Sequence, residues 1–209
     1  IAQSFAGIFT AVLLVVTDTA GNPTGSKLFD SIFTIFWVVG ICNAINFFDN
    51  LDGAASGSVA VISMGLFIVS FLQGQEMVAA LSLVMAGATL GFLIWNKSPA
   101  KIYMGDAGAL FLGILIATLT LRFDPNPINL SASFALPILL LAVPILDTTV
   151  AVISRLRRRI SPFQGGQDHL SHRLVRVGLS RKQAATSLWG LSGLYGAVAI
   201  FISRPNVST

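Results

Sequence analysis

The sequence has 209 residues, 54% of them hydrophobic and only 11% charged, with a net charge of +4. A soluble domain carries roughly 25% charged residues, so this deficit excludes an ordinary water-soluble fold and leaves one integral membrane domain spanning residues 1–209. The basic balance fits a positive-inside bias, contact with anionic membrane lipids, or an anionic substrate. It does not fit nucleic acid, because the basic residues are not interleaved with aromatic stacking platforms.

Seven apolar stretches follow in chain order: Ala2–Val16, Leu28–Asn46, Ala54–Leu72, Met77–Trp95, Ala107–Leu121, Ser133–Ile153 and Ala184–Ile202. Runs this continuous are helices, since barrel strands would alternate. The expected fold is therefore all-α, a polytopic transmembrane bundle of about seven helices. The first stretch is short for a crossing, which needs about 20 residues. The chain starts at Ile1, inside that apolar run and without a charged leader. It does not read as a signal peptide, and a preceding N-terminal portion is expected.

The connectors alternate in character. Residues 17–27, 73–76 and 122–131 are short, polar and nearly neutral, as turns are. Residues 43–53, 96–105 and 155–183 hold ten of the thirteen Lys and Arg residues. The positive-inside rule puts this second set in the cytoplasm, and residues 155–183 form a basic cytoplasmic loop. The single cysteine, Cys42, excludes an internal disulfide or a Cys-based zinc cluster and reads as small apolar filler.

Chemistry-bearing residues gather in the same three connectors. In NAINFFDNLDG, Asn43, Asn46 and Asn50 fall on one helical stripe, with Asp49 and Asp52 beside it. Capping accounts for one of these acids, but not for five polar side chains in ten residues near a membrane. In NKSPAKIYMGDAG, Asp106 stands between Gly105 and Gly108 at a helix start. It is either an N-terminal cap or a ligand for a hard cation that also meets phosphate. Tyr103 is either a base-stacking ring or an interfacial aromatic. The long loop carries both histidines, His169 and His172, with Arg173 adjacent; a solvated basic loop that binds lipid headgroups explains some of Arg155–Arg159, while two His beside Arg look more like a clamp for a diphosphate. Asp147, inside the sixth apolar run, is either a functional intramembrane acid or, the favoured reading, a structural one that pairs with a basic residue such as Arg155 and holds the helix in place.

These motifs resemble the polyprenyl-phosphate N-acetylhexosamine-1-phosphate transferases of bacteria. The match is N-x-x-N-x-x-D-x-x-D-G at Asn43, Asn46, Asp49, Asp52 and Gly53, then the Pro-Ala…Met-Gly-Asp-x-Gly run from Asn96 to Gly108, then a loop of form H-x-H-H-R. The resemblance implies transfer of a sugar 1-phosphate, most naturally GlcNAc-1-phosphate, from a UDP-N-acetylhexosamine to polyprenyl (undecaprenyl) phosphate, with release of UMP. It implies an Mg²⁺-dependent enzyme, Mn²⁺ being an alternative, of the bacterial cytoplasmic (inner) membrane, with the site facing the cytoplasm and a homodimer allowed. By carry-over Asp106 binds the metal. Asp52 and Asn96 read the uracil, with Tyr103 stacked on it. Asn43, Asn46 and Asp49 line the donor pocket, and His169, His172 and Arg173 hold the diphosphate. Asp49, Asp52, Asp106 and His169 are the expected catalytic set.

Two departures stand out. Ser171 replaces the middle histidine of the third motif, and the family's adjacent Asp-Asp pair is not in this sequence. That pair is expected upstream, so the chain is expected to hold the donor half of a site. Arg173 after the histidines favours the GlcNAc branch over the phospho-MurNAc-pentapeptide branch. An ion-coupled transporter or a non-catalytic fragment is the alternative from another class; acids at the helix ends rather than at the midplane argue against a transporter.

Overall fold

Helices follow the apolar runs closely in the computed structural model, which describes residues 2–17, 26–124, 130–162 and 165–203. They are α1 (Ala2–Val16), α2 (Lys27–Phe48), α3 (Ala54–Leu72), α4 (Glu76–Asn96), α5 (Gly105–Arg122), α6 (Leu130–Leu140), α7 (Ala142–Arg157), α8 (Leu170–Arg176) and α9 (Arg181–Ser203). Among the described residues α2, α3, α4, α5 and α9 are long and apolar enough to cross a membrane, and α6 with α7 makes a sixth span if the bent pair is counted as one. The expected turns over 17–27 and 122–131, and Arg204, fall wholly or largely outside the described residues.

Among the described residues the expected seven helices become nine, for two reasons. The sixth run is not one helix: α6 and α7 are bent by 76° about Leu141. Pro144 has no N–H to give the Leu140 carbonyl, and its ring crowds that carbonyl, so the ladder breaks there. Pro144 then sits in the first turn of α7, where the missing donor costs nothing. The second addition, α8, is a single short helix inside the basic loop.

Packing uses close contact, as expected where lipid offers no hydrophobic drive between helices. α3 lies against α4 and α9, and α2 against α1, α5 and α7. A Cβ on Gly113 of α5 would stand 2.8 Å from the Cα of Cys42, so glycine lets α5 touch the α2 backbone. The main core, with Ile41, Ile45, Ile62, Leu66, Ile116 and Leu140, fills the span interior. A second core at one end joins Phe48, Leu51, Ala54, Val143, Ala184 and Leu188. That end carries the basic connectors, and its small core is the platform on which the polar residues stand.

Candidate functional site

The α2–α3 connection begins where α2 stops at Phe48. Asp49 is its C-cap, with its N–H on the carbonyls of Ile45 and Asn46. Leu51 drops into the second core, and Gly53 turns the chain into α3 at φ 74, a left-handed value that disfavours a side chain. Asn50 therefore lies past the helix end and off the expected stripe. Asn43 turns its amide back to the Val39 carbonyl at 2.7 Å.

The α4–α5 connection is braced against this turn. Asn96, 2% exposed, ends α4. Its Oδ1 accepts the Gly53 N–H at 3.2 Å and the Ser56 hydroxyl at 2.7 Å, and its Nδ2 donates to the Ile102 carbonyl at 3.0 Å. Asp52 Oδ2 accepts the Ala100 N–H at 3.1 Å. Asn96 and Asp52 thus tie the two loops together. Tyr103 is 76% exposed on the second loop.

Asp106 falls in the first turn of α5, behind the N-cap Met104. Its Oδ1 accepts Asn46 Nδ2 at 3.2 Å. A carboxylate in a first helical turn is favoured by the helix dipole. Asp49 stands near enough to feel it: burial first, then the charges of Asp106 and Asp52, push the Asp49 carboxyl up to about 6. This is a cluster of like charges that a cation would relieve.

The basic loop docks on the same end. The Ser171 hydroxyl, fully buried, donates to Asn50 Oδ1. His169 meets Phe47 edge-on with ring centroids 6.4 Å apart, and the Arg155 guanidinium lies over the same Phe47 ring. Leu170, Leu174 and Val175 of α8 rest on the second core. His169 and His172 are neighbours, with centroids 6.3 Å apart. Burial, then His169, lowers the pKa of His172 against the opposing pull of Asp147. Arg173 is exposed and donates its Nε to the Asp168 carbonyl at 3.0 Å. Burial raises the Asp168 carboxyl, but the Arg155 hydrogen bond and the Arg155 and Arg158 charges outweigh it and hold the carboxyl low.

One end of the bundle therefore brings together Asn46, Asp49, Asp52, Asn96 and Asp106 from the ends of α2, α4 and α5 and the α2–α3 connection, with His169, His172 and Arg173 docked beside them. Two features escaped the sequence reading. Asp147 pairs with His169, at 2.7 Å, and not with Arg155. Trp189 of α9 donates Nε1 to the Gly53 carbonyl at 2.9 Å and covers Gly57. The Gly53–Gly57 spacing was the signal for it: two glycines one turn apart leave a groove that a large ring fills.

Fold and site define a multi-pass helical membrane protein whose acidic, amide and cationic side chains meet at one end of the bundle. Residues 1–124 match the model of the family described as Glycosyl transferase family 4. The chain is 39% identical, over 83% of its length and 48% of the relative's, to a Bacillus subtilis (strain 168) protein named "Probable undecaprenyl-phosphate N-acetylglucosaminyl 1-phosphate transferase". It is 32% identical, over 95% of its length and 54% of the relative's, to a decaprenyl-phosphate N-acetylglucosaminephosphotransferase of Mycolicibacterium smegmatis (strain ATCC 700084 / mc(2)155). A phospho-N-acetylmuramoyl-pentapeptide-transferase of Streptococcus thermophilus (strain CNRZ 1066) is 31% identical over 86% of this chain and 55% of its own. The chain belongs to glycosyl transferase family 4. It spans about half the length of the curated relatives it matches.

Proposed function

We propose that the protein transfers N-acetylhexosamine 1-phosphate, foremost GlcNAc-1-phosphate, from a UDP-sugar to polyprenyl phosphate, with this end of the bundle in the bacterial cytoplasm. The observation that carries the reading is the meeting of the Asn46–Asp106 pair with Asp49 and Asp52, beside a docked loop bearing His172 and Arg173. In the net reaction an oxygen of the lipid phosphate replaces UMP on the sugar-bearing phosphorus. Phosphoryl transfer of this kind is mostly positioning and charge neutralisation. The named activities of the relatives support it, and the GlcNAc-transferring relatives at 39% and 32% identity, together with Arg173, favour GlcNAc over the pentapeptide-bearing sugar.

The donor set suits Mg²⁺ or Mn²⁺. It is made of hard carboxylate oxygens, and the raised Asp49 carboxyl marks charge that is not neutralised. Among the described residues no three His, Cys, Asp or Glu side chains form a cage for a metal. Mg²⁺ does not require one, since it takes one or two carboxylates plus water and substrate phosphates. Asp106 would hold it with Asp49 alongside; bound there it would offset charge on the transferring phosphate. Asp52 and Asn96 set the height of the loop on which Tyr103 offers a ring to the uracil. Arg173 offers a guanidinium to phosphate oxygens.

The test is UMP release by the complete purified protein with Mg²⁺, polyprenyl phosphate and either UDP-GlcNAc or UDP-MurNAc-pentapeptide. UMP formed with UDP-GlcNAc and lipid together supports the reading. Release with the pentapeptide donor alone moves the protein to the other branch. No release with either donor, alongside ion-driven uptake in proteoliposomes, replaces the enzyme with a transporter.

A further inference from the structure

His169 and Asp147 looked separate in the sequence, one meant for the substrate and the other for Arg155. The structure joins them. Asp147 lies on α7 with 0% exposure. Its Oδ2 is 2.7 Å from His169 Nδ1, and its Oδ1 accepts the Leu170 N–H at 2.6 Å. On the opposite edge of the same ring, Arg155 Nη2 lies 3.1 Å from His169 Nε2. A guanidinium has donors and no acceptor. Nε2 therefore accepts, and the ring's one proton sits on Nδ1 and points at the Asp147 carboxylate. Both ring nitrogens are engaged inside the protein.

The chain of contacts continues. Arg155, 3% exposed, donates Nε to Asp168 Oδ2 at 3.2 Å and Nη1 to the Pro162 carbonyl at 2.7 Å. The Asp168 carbonyl in turn accepts Arg173 Nε at 3.0 Å. A continuous path thus runs from a buried acid on α7 to the guanidinium on the loop surface. It also accounts for α8, which has seven residues and too few internal bonds to stand alone. His169 is the N-cap of α8 but makes no side-chain cap bond. Asp147 supplies that acceptor from another helix by taking the Leu170 N–H.

We propose that Asp147 is a positioning residue which, through an Nδ1-protonated His169 and the buried guanidinium of Arg155, fixes the loop that presents Arg173 to the diphosphate of the donor. The identity of that anion rests on the transferase reading; the wiring does not. His169 is then a spacer that keeps a carboxylate and a guanidinium apart with both satisfied, rather than a group that carries a proton or a charge to substrate. Buried networks of this kind hold only when every member has its partner.

Asparagine at 147 exposes the wiring, because it is nearly isosteric but has one acceptor oxygen where the carboxylate has two. If the amide oxygen keeps the Leu170 N–H, the amide NH₂ faces His169 Nδ1. The ring proton must then move to Nε2, against the Arg155 donor. Glutamate keeps both acceptors.

The experiment uses the complete protein in nanodiscs, labelled with ¹⁵N-histidine, with His172→Gln and His169→Gln spectra to assign the two rings. The expected wild-type spectrum shows His169 with a pyrrole-type Nδ1 and a pyridine-type Nε2. Asp147→Asn abolishes that pattern and Asp147→Glu retains it. A wild-type His169 protonated at Nε2, or at both nitrogens, overturns the proposal, and this result needs no variant to fold. In the transfer assay Asp147→Asn lowers kcat by about 10- to 100-fold, the range for loss of a residue that orients a functional ligand. It also raises KM for the UDP-sugar and leaves KM for the lipid alone. The double variant Asp147→Asn/Arg173→Lys is no worse than the more impaired of the two single variants, because both losses fall on one path and do not multiply. Losses that multiply overturn the path through Arg173. If the wild type transfers no sugar phosphate, the transferase reading falls, while the ¹⁵N spectrum still judges the wiring.

Discussion

Placing an alanine at Gly57 drives a methyl group into the packing that holds the α2–α3 turn. Its Cβ would stand 2.2 Å from both Cε2 and Nε1 of Trp189, and 2.7 Å from Cζ2. These atoms belong to a rigid ring, so no flexible chain end can swing aside. Ordinary contact between carbon atoms begins near about 3.5 Å, so the indole must retreat by about 1.3 Å. A retreat of that size takes Nε1 off the Gly53 carbonyl, now 2.9 Å away. Overpacking costs about 1–3 kcal/mol, and the lost hydrogen bond about 0.5–1.5 kcal/mol. Alanine's better helix propensity returns about 0.5–1 kcal/mol. The expected net loss is about 2 kcal/mol, measured by reversible denaturant unfolding in mixed micelles. Because Gly53 carries the turn between Asp52 and α3, KM for the UDP-sugar should rise as well. In a Trp189→Leu background the ring is gone and Gly57→Ala should cost little. An equal cost in both backgrounds, or no cost in the wild type, refutes the indole as the cause.

Asp106→Ala should abolish transfer while membrane insertion and expression stay normal; activity near wild type would remove Asp106 from the metal site. Tyr103→Ala should raise KM for the UDP-sugar by about tenfold, since stacking on a base is worth about 1–3 kcal/mol, and should leave KM for the lipid unchanged; equal changes in both would remove the ring from the uracil. The Asp49 carboxyl, pushed up to about 6, favours its protonated form in the folded protein more than in the unfolded chain. In chelator, stability should therefore fall as pH rises from the ordinary carboxylate range through about 6 and then level off, and Asp49→Asn should flatten that slope. Saturating Mg²⁺ should also flatten it, because a bound cation favours the ionised acid; a slope indifferent to both changes would contradict the clustering of charge.

Hydropathy located the spans well because a membrane helix is read from side chains alone. α3 begins and ends where its apolar run does, at Ala54 and Leu72. The break at Leu141 was hidden for the same reason. Pro137 and Pro144 sit in an apolar stretch that looks continuous, and what fails there is a backbone donor, which hydropathy does not count. The short α8 was invisible too: seven polar and apolar residues carry no periodicity of their own, and the helix exists because Asp147 and the second core hold it.

The site was legible as a set of residues but not as a set of roles. Residue type and clustering at one end named Asp49, Asp52, Asp106 and the histidines, yet a polar side chain on a helix end serves either a ligand or a neighbouring backbone, and only geometry separates these. Asn96 has the composition of a base-reading amide, but its oxygen holds Gly53 and Ser56 and its nitrogen holds Ile102. The sequence offers Asp147 a basic partner such as Arg155, about two helical turns further along the chain. Eight residues of helix rise about 12 Å, beyond the reach that a buried carboxylate needs, and His169 arrives from the next element at 2.7 Å. Ser171 shows the other side of this ambiguity. It stands where the resembled motif has a histidine, is fully buried and ties α8 to Asn50. The loop thus departs from H-x-H-H-R at a side chain that packs α8 against the foot of α2.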